Sequence, residues 1–452
     1  MTNNTTIVRS VFTGVLFALY SPGGDVPSAA NRPTFRVVSS MHGYSQPTGL
    51  TEASPGVFLG VGKLSPQGQG AAFSVTAQGV TTTLASFPTH YNIDSPVVSG
   101  SNGQSYSSVQ FSDDPARVFS VDSVPGSVRT YTPQTVIPIL SEGLPGGIFL
   151  GFAPNAHNQI PWSIVTADLD GVATSVYQFP TDRPLSNVVY ATDGNYYGIA
   201  TGNSSYVFRV TPSGSFTQLY TFPAVPDPFG GSPPSSLVQA QDTNLYGILA
   251  SGGANGTGAV FRLTLSGEYK VLYSFPAGPN GGPTALIEGS DGNLYGATLG
   301  YVLGGPYGYG LLFRLTTSGK YTLLKAMDNG GVTGSCLCTL LLGSDGIIYG
   351  TATIGGKSGG GTIFALDTGM PTPKPWARQF APQSGSVGTQ AMIYGSNLFS
   401  AAVEFNGVAA TTVSNSGPNY LFATVPAGAT SGPITVTTPG GTSTTRASFT
   451  VE

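Results

Sequence analysis

The chain has 452 residues, of which only 8% are charged, and its formal net charge is −4 with two cysteines in all. This excludes nucleic acid as a partner, since binding its phosphate backbone needs a positive footprint, and a disulfide-stapled scaffold. With 64 glycines, 35 prolines and 11% aromatic residues, the chain is neither disordered nor a helical enzyme; it reads as many short strands joined by tight turns.

Residues 1–34 form an N-terminal extension. The apolar run 11–20 follows Arg9 and precedes Ser28-Ala29-Ala30, the order of parts in a signal peptide. The run is too short to span a bilayer. The same stretch, Gly14-Val15-Leu16-Phe17-Ala18-Leu19-Tyr20, also matches Gly361-Thr362-Ile363-Phe364-Ala365-Leu366-Asp367 further along. It therefore has a second reading, as a spare strand for pairing within the fold or for donation to a neighbouring copy.

From residue 35 the chain repeats itself. SDGNLYGATL (290–299) is echoed by TDGNYYGIAT (192–201), QDTNLYGILA (241–250) and SDGIIYGTAT (344–353). Looser copies are PGVFLGVG (55–62), SNGQSYSSV (101–109) and GGIFLGFA (146–153), which makes seven. Each copy is followed by an element such as GAVFRLTLSG (258–267), then one such as YKVLYSFP (269–276), and each is preceded by a short apolar run such as ALIEG (285–289). The unit reads as four strands with period-2 alternation, named a (ALIEG), b (NLYG), c (VFRLT) and d (KVLYSF). Asp-Gly-Asn supplies the a–b hairpin turn, and Thr-x-x-Gly the c–d turn. Seven antiparallel four-stranded units predict an all-β fold built on a seven-bladed β-propeller, residues 35–370. The motifs DGNLYG, GxxFRLTxxG and YxxLYSFP resemble the GloVer-type tandem repeats of secreted and cell-surface bacterial proteins. That resemblance implies the fold and an extracellular setting, but no chemistry.

The last unit lacks a d strand, whereas Phe35-Arg36-Val37-Val38-Ser39-Ser40-Met41 is a d strand without a unit. The two are expected to join, closing the ring with strands from both ends of the chain. Cys336 and Cys338 lie in the last unit and read as small residues at a strand start, their redox state open.

A proline-rich linker (371–376) leads to residues 377–452. There the stretches Pro382-x-Ser384-Gly385, Ile393-Tyr394-Gly395-Ser396-Asn397-Leu398-Phe399, Val403-Glu404-Phe405-Asn406-Gly407 and Val425-Pro426-Ala427-Gly428-Ala429 resemble an IPT/TIG immunoglobulin-like domain. So does Ile434-Thr435-Val436-Thr437-Thr438-Pro439-Gly440-Gly441. The resemblance implies a small β-sandwich that serves as a spacer or adhesion module.

Functional candidates follow from the unit. The a–b and c–d turns are short and share one face, so the longer b–c and d–a loops on the other face are the expected binding surface. That face would carry Tyr301, Tyr307, Tyr309, Asp182, Arg183, Asp227 and Phe229, a composition suited to neutral sugar rings. His42, His90 and His157 fall on the same face, and with Asp94 are weak candidates for a metal-dependent lyase or hydrolase. Asp168-x-Asp170-Gly171 occupies a c–d turn and reads as turn chemistry rather than a calcium loop. Asn3, Asn4, Asn203 and Asn255 lie in glycosylation sequons. The leading expectation is a non-enzymatic protein of the cell surface or exterior without a cofactor. It would associate with itself through residues 14–20 or the sandwich, forming a polymer. Binding of neutral polysaccharide is one alternative and the metal-dependent enzyme the other.

Overall fold

A computed structural model describes residues 33–64, 69–87, 91–92, 96–111, 117–121, 129–131, 139–144, 148–155, 159–167, 173–184, 186–223, 236–277, 282–299, 310–328, 331–415 and 417–452. Among the described residues, those from 34 to 367 form seven antiparallel sheets, blades 1 to 7 in chain order (44–86, 91–131, 139–178, 183–221, 236–274, 283–326, and 335–367 with 34–40), and each inner strand neighbours the next around a closed ring. This is a β-propeller. Blade 5 shows the pattern: Ser236–Gln239, Leu245–Leu249, Ala259–Leu263 and Tyr269–Ser274 run from the axis outward as strands a to d. Blade 7 takes a, b and c from Ser335–Leu342, Ile348–Ile354 and Thr362–Asp367, and its d strand is Thr34–Ser40 from the other end of the chain.

The repeat motifs have a local physical cause. In blade 4 Gly198 lies opposite Phe208 of the c strand, and a Cβ there would sit 2.5 Å from the ring. Gly60, Gly247, Gly296 and Gly350 face Phe73, Phe261, Phe313 and Phe364 in the same way. The glycine of LYG thus makes room for the phenylalanine of VFRL. In the Asp-Gly-Asn turn, Asp291 Oδ1 accepts the Asn293 amide at 3.1 Å and Oδ2 accepts Asn293 Nδ2 at 2.7 Å. The tyrosine two residues on donates its hydroxyl to the same carboxylate, at 2.7 Å for Tyr197–Asp193 and 2.6 Å for Tyr246–Asp242. Tyr295–Asp291 and Tyr349–Asp345 repeat it at 2.9 and 2.8 Å.

Most of the propeller's buried apolar side chains lie between adjacent blades. Leu237, Phe261 and Leu263 of blade 5 share a cluster with Tyr197, Ile199 and Val207 of blade 4. Around the outside runs a chain of stacked rings, each joining one blade's d strand to the next: Tyr177 on Phe216, Tyr220 on Tyr269 and Tyr273 on Tyr321. At the closure the pattern continues with substituted chemistry. Lys325 lies 5.3 Å over the ring of Phe35, and the Ser39 and Thr81 hydroxyls pair at 3.0 Å. Those contacts hold the N-terminal strand in the register of a d strand.

Residues 376–451 form two sheets packed over a separate core that includes Phe380, Ile393, Phe405, Leu421, Ile434 and Phe449. Strand Trp376–Ala381 is an edge of one sheet, and the long Gly432–Thr438 and Gly441–Val451 pair dominates the other. Among the described residues no helix is long and apolar enough to cross a membrane.

Candidate functional site

The a–b turns end the inner strands on one face of the ring, and in blades 1, 5 and 6 a polar residue at or near the end of strand a reaches the turn of the preceding blade in the ring. Glu52 accepts the Ser344 amide at 2.8 Å and its hydroxyl at 2.9 Å, tying blade 1 to blade 7. Gln239 accepts the Thr192 amide at 2.9 Å, tying blade 5 to blade 4. Glu288 accepts the Gln241 amide at 3.1 and 3.0 Å, tying blade 6 to blade 5. In blade 7 the equivalent residue is Leu342, which has no acceptor. Ser290, which such an acceptor would hold, instead donates to the Pro371 carbonyl of the linker at 2.6 Å. At blade 7 the linker thus supplies the acceptor that the repeat lacks.

This face is also where the sandwich sits. Gln379 hydrogen-bonds the Tyr190 hydroxyl, and Gly417 lies against Ser99, where a Cβ would be 3.6 Å from that serine's Cβ. Between sandwich and inner strands is a cavity of about 760 Å³. Its wall includes Glu52, Tyr190, Gln239 and Glu288 from the propeller, with Trp376 and Arg378 from the first strand of the sandwich. The Arg378 guanidinium lies 4.0 Å over the Trp376 ring, and its buried Nε has no hydrogen-bond partner.

Electrostatics inside the cavity are set by burial. Desolvation pushes Glu288 up to about 7; the Gln241 amide and the Arg378 charge oppose the rise, while Asp242 and Asp291 add to it. Glu52 is raised for the same leading reason, against hydrogen bonds from Gly56 and Ser344. The blade tyrosines are raised too, chiefly by burial and then by the aspartate each one bonds; Tyr295 reaches about 12. They are structural donors at any physiological pH.

The residues expected on the loop face fare differently. Asp182 is half-buried and accepts the Tyr206 hydroxyl at 2.5 Å, so its carboxylate supports blade 4. Arg183 opens a two-residue strand paired with Thr201 and Ala200. His42 places Nδ1 3.3 Å from the Ser358 hydroxyl. Tyr301, Tyr307, Tyr309, Asp227, Phe229, His90, Asp94, His157, Asp168 and Asp170 lie outside the described residues, as do Asn3, Asn4 and the segment from Gly14 to Tyr20. Asn203 and Asn255 are both exposed. Cys338 is half-buried at the cavity wall.

Sequence reasoning passed over Glu52, Gln239, Glu288, Trp376 and Arg378. Gln239 and Glu288 carry a signal in hindsight: each closes a short apolar run just before an a–b turn, whereas Glu52 follows Gly49-Leu50-Thr51 and carries none. Trp376 and Arg378 lie at the linker boundary, and only the docking of the sandwich brings them to the propeller axis.

No curated protein matches the chain significantly. Among solved structures, a fungal alcohol oxidase of the AA5 family, determined with copper, has a TM-score of 0.51 at 11% identity, covering 92% of this chain and 98% of its own. That likeness concerns the fold, and its coverage extends beyond the propeller. A periplasmic gluconolactonase of Pseudomonas aeruginosa has a TM-score of 0.45 at 17% identity, covering 73% of this chain and 97% of its own. The Gloeobacter/Verrucomicrobia repeat profile matches residues 170–424, more than half of the chain. With its Asp-Gly-Asn turns, its glycine-over-phenylalanine packing and this match, the chain belongs to the Gloeobacter/Verrucomicrobia repeat family.

Proposed function

We propose that this is a non-enzymatic interaction protein of the cell surface or exterior, which associates with copies of itself, and that its C-terminal sandwich is an IPT/TIG immunoglobulin-like module. One observation carries the reading. All seven c positions of the ring are filled by strands of residues 69–367, and blade 7 already has its d strand in Thr34–Ser40. The c-type sequence from Gly14 to Tyr20 is therefore an eighth copy with no vacant place in its own ring, and strand pairing with another copy is the outlet such a sequence has. The motif's polar side chains support the reading as well, because Asp193, Tyr197 and their counterparts build blades.

The test is light scattering and electron microscopy on the purified full chain and on a form lacking residues 1–30. Assemblies from the full chain that disappear on truncation are expected; monodisperse monomer in both overturns the proposal.

A further inference from the structure

We propose that the cavity between the sandwich and the propeller binds a sugar acid, a carboxylate-bearing saccharide of one or two rings, through the guanidinium of Arg378. The site lies within one chain and does not depend on self-association. Arg378 has its face covered by Trp376, so its N–H groups, which lie in the guanidinium plane, are what it offers to the cavity. Its Nε is enclosed, as are those of Arg209, Arg262 and Arg314 in the blades, so contact with a ligand falls to the two terminal nitrogens. A carboxylate answers that geometry with two parallel charge-assisted bonds in the same plane.

The rest of the wall selects the body of the ligand. Phe399 and Trp376 supply apolar ring surface; Asn397, Thr284 and Thr339 donate to the Lys374, Leu337 and Thr48 carbonyls, which leaves their side-chain oxygens as uncharged acceptors. Apolar faces bordered by hydroxyls and amides suit a saccharide ring, and about 760 Å³ is room for one or two such rings. Two carboxylates, Glu52 and Glu288, line the same space, which disfavours a dianionic phosphate more than a singly charged acid. Glu288 also faces Asp242, Asp291, Arg378 and the Gln241 amide, and a proton taken up there removes one repulsion. Binding should therefore tighten as the pH falls through about 7.

The probe is sodium glucuronate, with glucose and acetate as controls, read by tryptophan fluorescence of the full chain. Trp376 is one of two tryptophans, and the other, Trp162, sits in the core between blades 3 and 4 and is silenced by Trp162→Phe. Glucuronate should give a saturable change, with glucose and acetate each at least about tenfold weaker. Arg378→Gln, shown folded by its circular dichroism, should lose about tenfold or more in affinity for glucuronate, and Arg378→Lys should lose part of it. No saturable change, equal binding of glucose or of acetate, or an unaffected Arg378→Gln overturns the assignment. Should that variant fail to fold, Glu288→Gln decides. Tighter glucuronate binding than the parent at pH about 8 supports the site, and equal or weaker binding overturns it.

Discussion

At the scale of single residues, the repeat is a set of mutual requirements. Gly247 exists because Phe261 occupies the space its side chain would need, so Gly247→Ala should cost about 1–3 kcal/mol through overpacking. Asp242→Ala strands the fully buried Tyr246 hydroxyl and the Asn244 amide, also about 1–3 kcal/mol, whereas Tyr246→Phe leaves only an exposed carboxylate short of one donor and should cost less. Chemical unfolding of the three variants beside the parent gives that order. Glu288 supplies a pH-dependent test with a definite sign. Its folded value, about 7, lies above its ordinary range, so its contribution is fully present below about pH 4.5 and is lost as the pH rises through about 7. Between those limits the thermal midpoint of the parent should fall relative to that of Glu288→Gln. Parallel curves would show that burial does not raise this group. The pairing of the turn aspartate with the strand b tyrosine was legible in the sequence because four copies keep the spacing Asp-x-x-x-Tyr-Gly. The latch role of Glu288 was not, since a Glu at a strand end next to a turn looks like an ordinary solvated charge.

At the scale of elements, the informative strand is Thr34–Ser40. Its assignment to the last blade was readable from a d strand without a unit and a unit without a d strand. The side-chain logic of the joint was not, because it replaces ring stacking by Lys325 over Phe35 and by a hydroxyl pair. A motif search looks for the tyrosine and finds a lysine. Arg36 shows the same economy. In blades 4 to 6 the c-strand arginine lies opposite the motif tyrosine, as Arg262 does Tyr246, whereas blade 7 has Ala365 opposite Tyr349. Arg36 from the d strand is the positive charge acting on Tyr349 instead. Removing residues 1–41 should lower the thermal midpoint below that of a form lacking only residues 1–32, and leave the Thr362–Asp367 edge open to pairing. A synthetic peptide covering residues 33–41 should bind the shorter form and restore part of the loss. A peptide that binds neither form, with equal midpoints for both truncations, would mean that closure contributes nothing.

At the scale of the molecule, periodicity located the two bodies but not their junction. A repeat reports what recurs, and the linker and the sandwich's first strand each occur once: Ser290 to Pro371, Gln379 to Tyr190, Arg378 over the axis. The composition bears on this scale directly. A surface drawn from a chain with 8% charged residues offers few ion pairs for a partner to use, and exposed threonines such as Thr437 and Thr442 present hydroxyls that already pair with each other at 3.0 Å. Association through such surfaces, or through backbone pairing of a donated strand, has almost no long-range Coulomb component to screen. The assembled fraction should therefore change by less than about twofold between roughly 50 and 500 mM sodium chloride, as followed by sedimentation. Charge-steered contact would weaken steeply over that range. Assemblies that dissolve at the higher salt would place the contact on the few charged side chains and remove strand donation as its cause.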